Sequence, residues 1–172
     1  MSLKTGYLVY PLTPTFFWAD FELGRGVISD SPLPYLIPMV EIPESYADLL
    51  RSTVDVVLTT VSPKGYPQST LVWCSFDGEY VLLNTGIGYQ KEKNMRRDPR
   101  VSVLAVDAVN KMRWIEVQGD VELVEEGALE HLNRLANAYR GKDFYELMPE
   151  LKGKEVRVIV KVTPRKVHVG KS

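Results

Sequence analysis

Between residues 54 and 124 the chain passes through five short segments rich in β-branched and aromatic residues, each bounded by turn signals. The segments are VDVVLTTVS, YPQSTLVWCSF, EYVLLNT, RVSVLAVD and MRWIEVQGDVELV, with PKG and DG as the tightest punctuation. Five strands at this spacing predict an antiparallel barrel or sandwich. Within STLVWCSF, strict alternation puts Leu71, Trp73 and Ser75 on one face and Thr70, Val72, Cys74 and Phe76 on the other. That run reads as one strand.

The flanks add helices and one more strand. IPESYADLLRS, residues 42–52, has Pro43 where a first helical turn tolerates it, early Glu44 and Asp48, and Leu49–Leu50 on one face, so it predicts a short helix. GALEHLNRLANAYR, residues 127–140, spaces Leu129, Leu132, Leu135, Ala136 and Tyr139 as a single apolar stripe, the mark of a packing helix. EVRVIVKV, a Thr163–Pro164 break and KVHV predict a last strand with a bend. Residues 1–41 mix aromatics, prolines and glycines without steady periodicity, which predicts an irregular arm ahead of a domain over 42–172. Phe16, Phe17, Trp18 and Phe21 make that arm too apolar for a free linker, so it is expected to pack on the body or on a partner subunit, with a tag or disordered leader as the alternative.

Charge is nearly balanced, with 21 basic against 22 acidic residues and a formal net of −1, so no global field draws the chain to nucleic acid or anionic membrane. Any basic site must be local. Residues 89–100, YQKEKNMRRDPR, supply one: five cations against Glu92 and Asp98, a net +3. The lone cysteine, Cys74, allows no internal disulfide and suggests a reducing compartment. With no apolar run long enough to span a bilayer and no basic start followed by an apolar block, the chain reads as soluble and cytoplasmic.

The basic run lies between two strands and follows Gly86 and Gly88, which permit a sharp turn and a close approach of backbone amides to a ligand. GYQKEKNMRRD predicts a helix ended before Pro99, whose N-terminus would add partial positive charge beside the glycine turn. Spacing alone leaves three readings: a solvated helix face, an anion site, or a nucleic-acid patch. NTGIG is neither the phosphate loop of a nucleotide triphosphatase nor a dinucleotide fingerprint. Nucleic acid is disfavoured because the other strands carry no basic stripe interleaved with aromatics.

From IPESYADLL to the C-terminus, about three-quarters of the chain, the sequence resembles the flavin-binding split-barrel superfamily typified by pyridoxamine phosphate oxidase and by the deazaflavin F420-dependent reductases. PKGYPQSTLVW resembles the opening hairpin of that family. VLLNTGIGYQKEKNMRRDPRVSVL resembles its phosphate segment, and MRWIEVQGDVELV its following long strand. The resemblance implies a mainly β fold, a six-stranded antiparallel split barrel of Greek-key type with flanking helices. It implies FMN, or alternatively F420, held at the interface of a homodimer, and two-electron chemistry on a small organic substrate. It puts Thr85 and Lys91 on the cofactor phosphate, with Gln90 where oxidase-type members often have arginine. Thr70, Val72 and Trp73 would lie along the ring and ribityl chain, largely through backbone groups, and Asn84 at the pocket edge. Asn94 matches an asparagine of F420-type members, and Trp114 falls where oxidases carry glutamine.

No other constellation carries chemistry. His131 and His168 lack metal-pair spacing and read as surface or rim histidines, and Cys74 reads as core. No nucleophile elbow is present. A missing triad is expected where a flavin carries the reaction and the protein binds, orients and excludes water. The alternative from another class is a non-catalytic protein that stores a flavin, haem or tetrapyrrole on the same barrel.

Overall fold

The computed structural model describes residues 38–170. The aromatic arm expected over residues 1–41 therefore lies almost wholly outside the described residues. Seven antiparallel strands form one sheet: β1 Val56–Val61, β2 Pro67–Val72, β3 Cys74–Phe76, β4 Val81–Gly86, β5 Arg100–Val106, β6 Trp114–Val124 and β7 Arg157–Val169. Their order is β2-β1-β5-β6-β7-β4-β3. The two edges, β2 and β3, are consecutive in sequence and separated only by Trp73, so the sheet must roll until its edges adjoin. The result is a barrel split at Trp73. The chain jumps from β4 across β7 and β6 to reach β5, a Greek-key crossover that helix α2, Gln90–Arg97, carries.

Seven strands stand where six were expected because the run 66–76 is broken. β2 pairs with β1 through Val72↔Val56, whereas β3 pairs with β4 from Cys74↔Leu83. At the break, the Cys74 N–H donates to the Tyr139 hydroxyl at 3.2 Å, and that hydroxyl donates to the Val54 carbonyl at 2.8 Å. A side chain 65 residues away in sequence thus takes a backbone group that an unbroken ladder would have used.

Residues of alternate strand positions fill the barrel: Val56 and Leu58, Val81 and Leu83, Val103 and Ala105, Ile115 and Val117, Val160 and Val162. Helix α1, Glu44–Arg51, adds Leu49 and Leu50 at one end, and α2 adds Met95. Burying a side chain of this size stabilises by about 1.5–3 kcal/mol, which is what makes the alternation binding on the fold. β7 runs unbroken through Pro164, and the expected bend is a bulge: Gln118 pairs with Lys166 but Gly119 with Pro164, leaving Arg165 as the extra residue. Gly119 is required there, since a Cβ would lie 2.3 Å from the Thr163 carbonyl oxygen.

Helix α3, Ala128–Arg140, turns inward most of the stripe read in its sequence, with Leu132, Leu135 and Ala136 buried and Tyr139 half-buried, but its buried face is rotated to take in Ala128 and His131 in place of Leu129. Ala128, His131, Leu132, Leu135 and Ala136 are buried, while Leu129 is 46% exposed. His131 is therefore no surface histidine; only 2% of it is exposed. His168 is half-buried on β7. Helix α4, Phe144–Leu147, and a 3-10 turn at Pro149–Leu151 link α3 to β7.

Candidate functional site

The basic segment divides its charge. Glu92, 2% exposed, folds back so that its carboxylate accepts the Gly88 N–H at 3.0 Å, and it is also ion-paired with Arg96. The amide of the glycine turn is thus occupied by the chain's own carboxylate, not held open for a ligand. Gly88 has φ +88°, which only glycine adopts without strain. Arg97 donates to the Val61 carbonyl, and Arg100 is paired with Asp98, whose carboxyl it holds down at about 2. Lys93, Arg96, Arg97 and Arg100 are exposed, so for them the solvated face is the outcome.

Lys91 differs. It is half-buried and lines a cleft of about 260 Å³ at the split of the barrel, with Val72, Trp73, Asn84, Phe144 and Arg157 among its walls. No carboxylate pairs with it among the described residues. Burial first, and then the neighbouring Arg157 charge, hold its ammonium below the ordinary lysine range. Asp55 also lines the cleft and Glu155 pairs with Arg157, but neither carboxylate is bonded to Lys91, and a half-buried cation left without its own counter-ion is complementary to an anionic ligand.

Of the residues read from sequence, Val72, Trp73, Asn84 and Lys91 meet in this cleft; Thr70, Thr85, Gln90, Asn94 and Trp114 do not line it. Trp73 is stacked on Tyr139 with ring centroids 5.3 Å apart, which fixes the aromatic wall. Asn94 is fully buried beneath α2, donating to Thr60 Oγ1 and Gln68 Oε1 at 3.0 Å each and accepting from Gln90 Nε2 at 2.9 Å. Asn94, held by Gln90 within the helix, thus ties α2 to β1 and β2. The Thr70 and Thr85 hydroxyls are buried without a hydrogen-bond partner among the described residues, an unusual state for native polar groups. Trp114 opens β6, where its carbonyl accepts the Gly170 N–H at 2.9 Å.

Sequence reasoning missed Arg157 and the role of His131. Arg157 Nε donates to Asn84 Oδ1 at 2.8 Å, and Nη1 donates to Glu155 at 3.0 Å. The Asn84 amide nitrogen donates to the Ala128 carbonyl at 2.8 Å and faces His131 Nδ1 at 3.4 Å. His131 Nε2 meets Ser75 Oγ at 3.2 Å. The site's polar floor therefore extends through α3 into β3. Burial, with the Arg134 charge second, pulls His131 down to about 4, so it is neutral at pH 7. Glu155 lies just before β7, which Arg157 opens, so no strand alternation in the sequence ties the two side chains together.

A second hollow of about 500 Å³ lies on the opposite sheet region, lined by Thr59, Ser102, Gln118, Arg165 and Lys166 among others. Among the described residues no cluster of histidine, cysteine and carboxylates could hold a metal ion. No described helix is long and apolar enough to cross a membrane.

The family described as pyridoxamine 5'-phosphate oxidase matches residues 42–170. Among solved structures, an F420 reductase is 30% identical, covering 74% of this chain and 98% of its own, with a TM-score of 0.64. A conserved hypothetical protein of Mycobacterium tuberculosis is 31% identical, covering 77% of this chain and 86% of its own, at 0.60. General Stress Protein 26 of Bacillus anthracis, at 19% identity, 74% and 92% coverage and a TM-score of 0.56, shares the fold. No curated protein matches the chain. With the rolled seven-stranded sheet and these matches together, the chain belongs to the pyridoxamine 5'-phosphate oxidase family of split-barrel proteins.

Proposed function

We propose that the chain is an oxidoreductase that binds a flavin-type cofactor, FMN in the first instance, in the cleft at the barrel's split, and acts on a small organic substrate. The observation that carries this reading is Lys91, a half-buried cation without a carboxylate partner among the described residues. The donor set fits such a group. Lys91 supplies charge for a phosphate, Trp73 and Val72 an apolar wall for a flat ring, and Asn84 a polar edge. β2 pairs on one side only, so its free edge carries backbone groups able to meet the polar rim of a ring near Thr70, Val72 and Trp73.

Once bound, FMN supplies two-electron transfer, which no side chain of this cleft can supply. The protein's own part is to hold the phosphate with Lys91, fix the ring against Trp73 and keep water off one face. The cleft, at about 260 Å³ in one chain, falls just below the roughly 300–1,000 Å³ of small-molecule sites. A second copy that supplies the other wall would complete it, which favours a homodimer with the cofactor at the seam. The lone buried Cys74, its thiol pushed up to about 12 by burial, suits a reducing cytoplasm.

F420 is the second reading, favoured by the likeness to an F420 reductase. The absorption spectrum of the purified protein, with mass spectrometry of what denaturation releases, separates the two. Lys91→Ala is expected to weaken binding of either by about 1–3 kcal/mol, since a charge-assisted contact is lost. Unchanged affinity in calorimetric titration would contradict the assignment. Assays with reduced nicotinamides, reduced F420 and pyridoxamine phosphate separate turnover from storage: a bound chromophore without turnover would favour storage.

A further inference from the structure

We propose that Arg157 is the second cation of the cofactor site, set in place by Asn84 and Glu155 so that its free edge shares the cofactor's phosphate with Lys91. This rests on the reading of the cleft as a flavin-type site. It goes further by assigning a residue from β7, far in sequence from the basic segment, to the phosphate.

Three observations carry the assignment. Arg157 and Lys91 line the same cleft, while Gln90, next to Lys91, contributes no charge and is bonded to Asn94. The guanidinium of Arg157 is fixed on two sides, by Asn84 Oδ1 at 2.8 Å and Glu155 Oε1 at 3.0 Å, and its side chain is 9% exposed. Glu155 is itself held by the Tyr89 hydroxyl, which donates to Oε2 at 2.8 Å, and the Phe144 ring lies 5.1 Å from the guanidinium carbon. Third, Nη2 of Arg157 has no hydrogen-bond partner among the described residues, although a guanidinium offers five donors in a rigid fork. A fork locked through Nε and Nη1 with Nη2 uncommitted is preorganised for a tetrahedral oxyanion. Both FMN and F420 carry a phosphate, so this chemistry serves either.

Asn84 is a positioning residue in this arrangement. Its amide nitrogen is committed to the Ala128 carbonyl and faces His131 Nδ1, and that fixes the carbonyl end of the amide toward Arg157. Neutral His131 can accept at Nδ1 while Nε2–H donates to Ser75 Oγ, so the amide orientation is read out from the helix side.

The test compares each cofactor with its phosphate-free ring fragment: FMN with riboflavin, and F420 with the riboflavin-like deazaflavin it contains. Affinities are measured by fluorescence titration on the full chain. Arg157→Gln is expected to weaken the phosphate-bearing form roughly 10- to 100-fold while the fragment binds as in wild type. Asn84→Leu is expected to lower the ratio of the two affinities in the same direction, which general loosening of the fold would not do. Arg157→Lys, which keeps the charge without the fork, is expected to lose part of the ratio and serves if the glutamine variant does not fold. A ratio unchanged from wild type in the folded Arg157 variants, or equal weakening of both forms, would overturn the assignment. If Lys91→Ala lowers the ratio while Arg157→Gln does not, the cofactor site stands and Arg157 falls. Absence of binding by the wild-type chain to all four compounds would overturn both.

Discussion

His131 shows how far a single side chain can depart from its sequence appearance. A histidine among leucines on a helix reads as rim, yet here it faces Asn84 and Ser75 inside the fold. Its folded pKa, about 4, lies below the ordinary 6.5, so the folded state binds fewer protons than the unfolded one. Stability is whole above about pH 6.5 and falls as pH drops toward 4, by on the order of 3 kcal/mol in total. Denaturant unfolding at pH 7 and pH 4.5 checks this, and His131→Gln is expected to flatten the dependence; an equal slope in the variant would contradict it. Lys91 was legible because the strand, threonine, basic pair and DPRV of its segment form a recognisable set. Arg157 was not, since an arginine in EVRVIVKV looks like any outward strand position. Only the pairing Gly86↔Arg157 brings it beside β4 and the cleft.

Turns, prolines and periodicity located α1, α2, α3 and nearly every strand, because those signals act within a few residues; the four-residue α4 and the 3-10 turn after it carried no such signal. The break at Trp73 was hidden, because alternation continues smoothly across it and the cause is the hydroxyl of Tyr139. Tyr139→Phe leaves the Cys74 N–H without that acceptor and is expected to cost about 1–3 kcal/mol, read as a lower urea midpoint. The bulge between β6 and β7 was equally invisible, since it depends on which residues face each other. Gly119→Ala forces a methyl group against the Thr163 carbonyl and is expected to destabilise by about 1–3 kcal/mol. A thermal midpoint equal to wild type would show that the two strands do not approach as described. In α3 the stripe held at Leu132, Leu135, Ala136 and Tyr139 and failed only at Leu129, for the helix buries Ala128 and His131 instead and leaves Leu129 outside. Leu129→Lys is accordingly expected to change stability by less than about 0.5 kcal/mol, whereas Leu132→Ala should cost about 2–5 kcal/mol.

For the whole molecule, the rolled sheet leaves a cleft where its edges adjoin, and that cleft carries the cations. Its modest size in one chain predicts that two chains complete it, so light scattering of the purified protein should give twice the 19.5 kDa chain mass. A monomer that still binds cofactor tightly would contradict the shared-seam arrangement. The antiparallel β class was legible in strand number and spacing, which left barrel or sandwich open, and the resemblance of the motifs to the split-barrel family chose the barrel. The site's second cation and polar floor were not, because they assemble only when β4, β7 and α3 meet. The central claim is that this cleft holds a flavin-type cofactor by its phosphate, and a crystal structure grown with excess FMN or F420 tests it most directly. We expect the phosphate within hydrogen-bonding distance of Lys91 Nζ and the ring against Trp73; a ligand bound elsewhere, with Lys91 turned to solvent beside an empty cleft, would contradict the account.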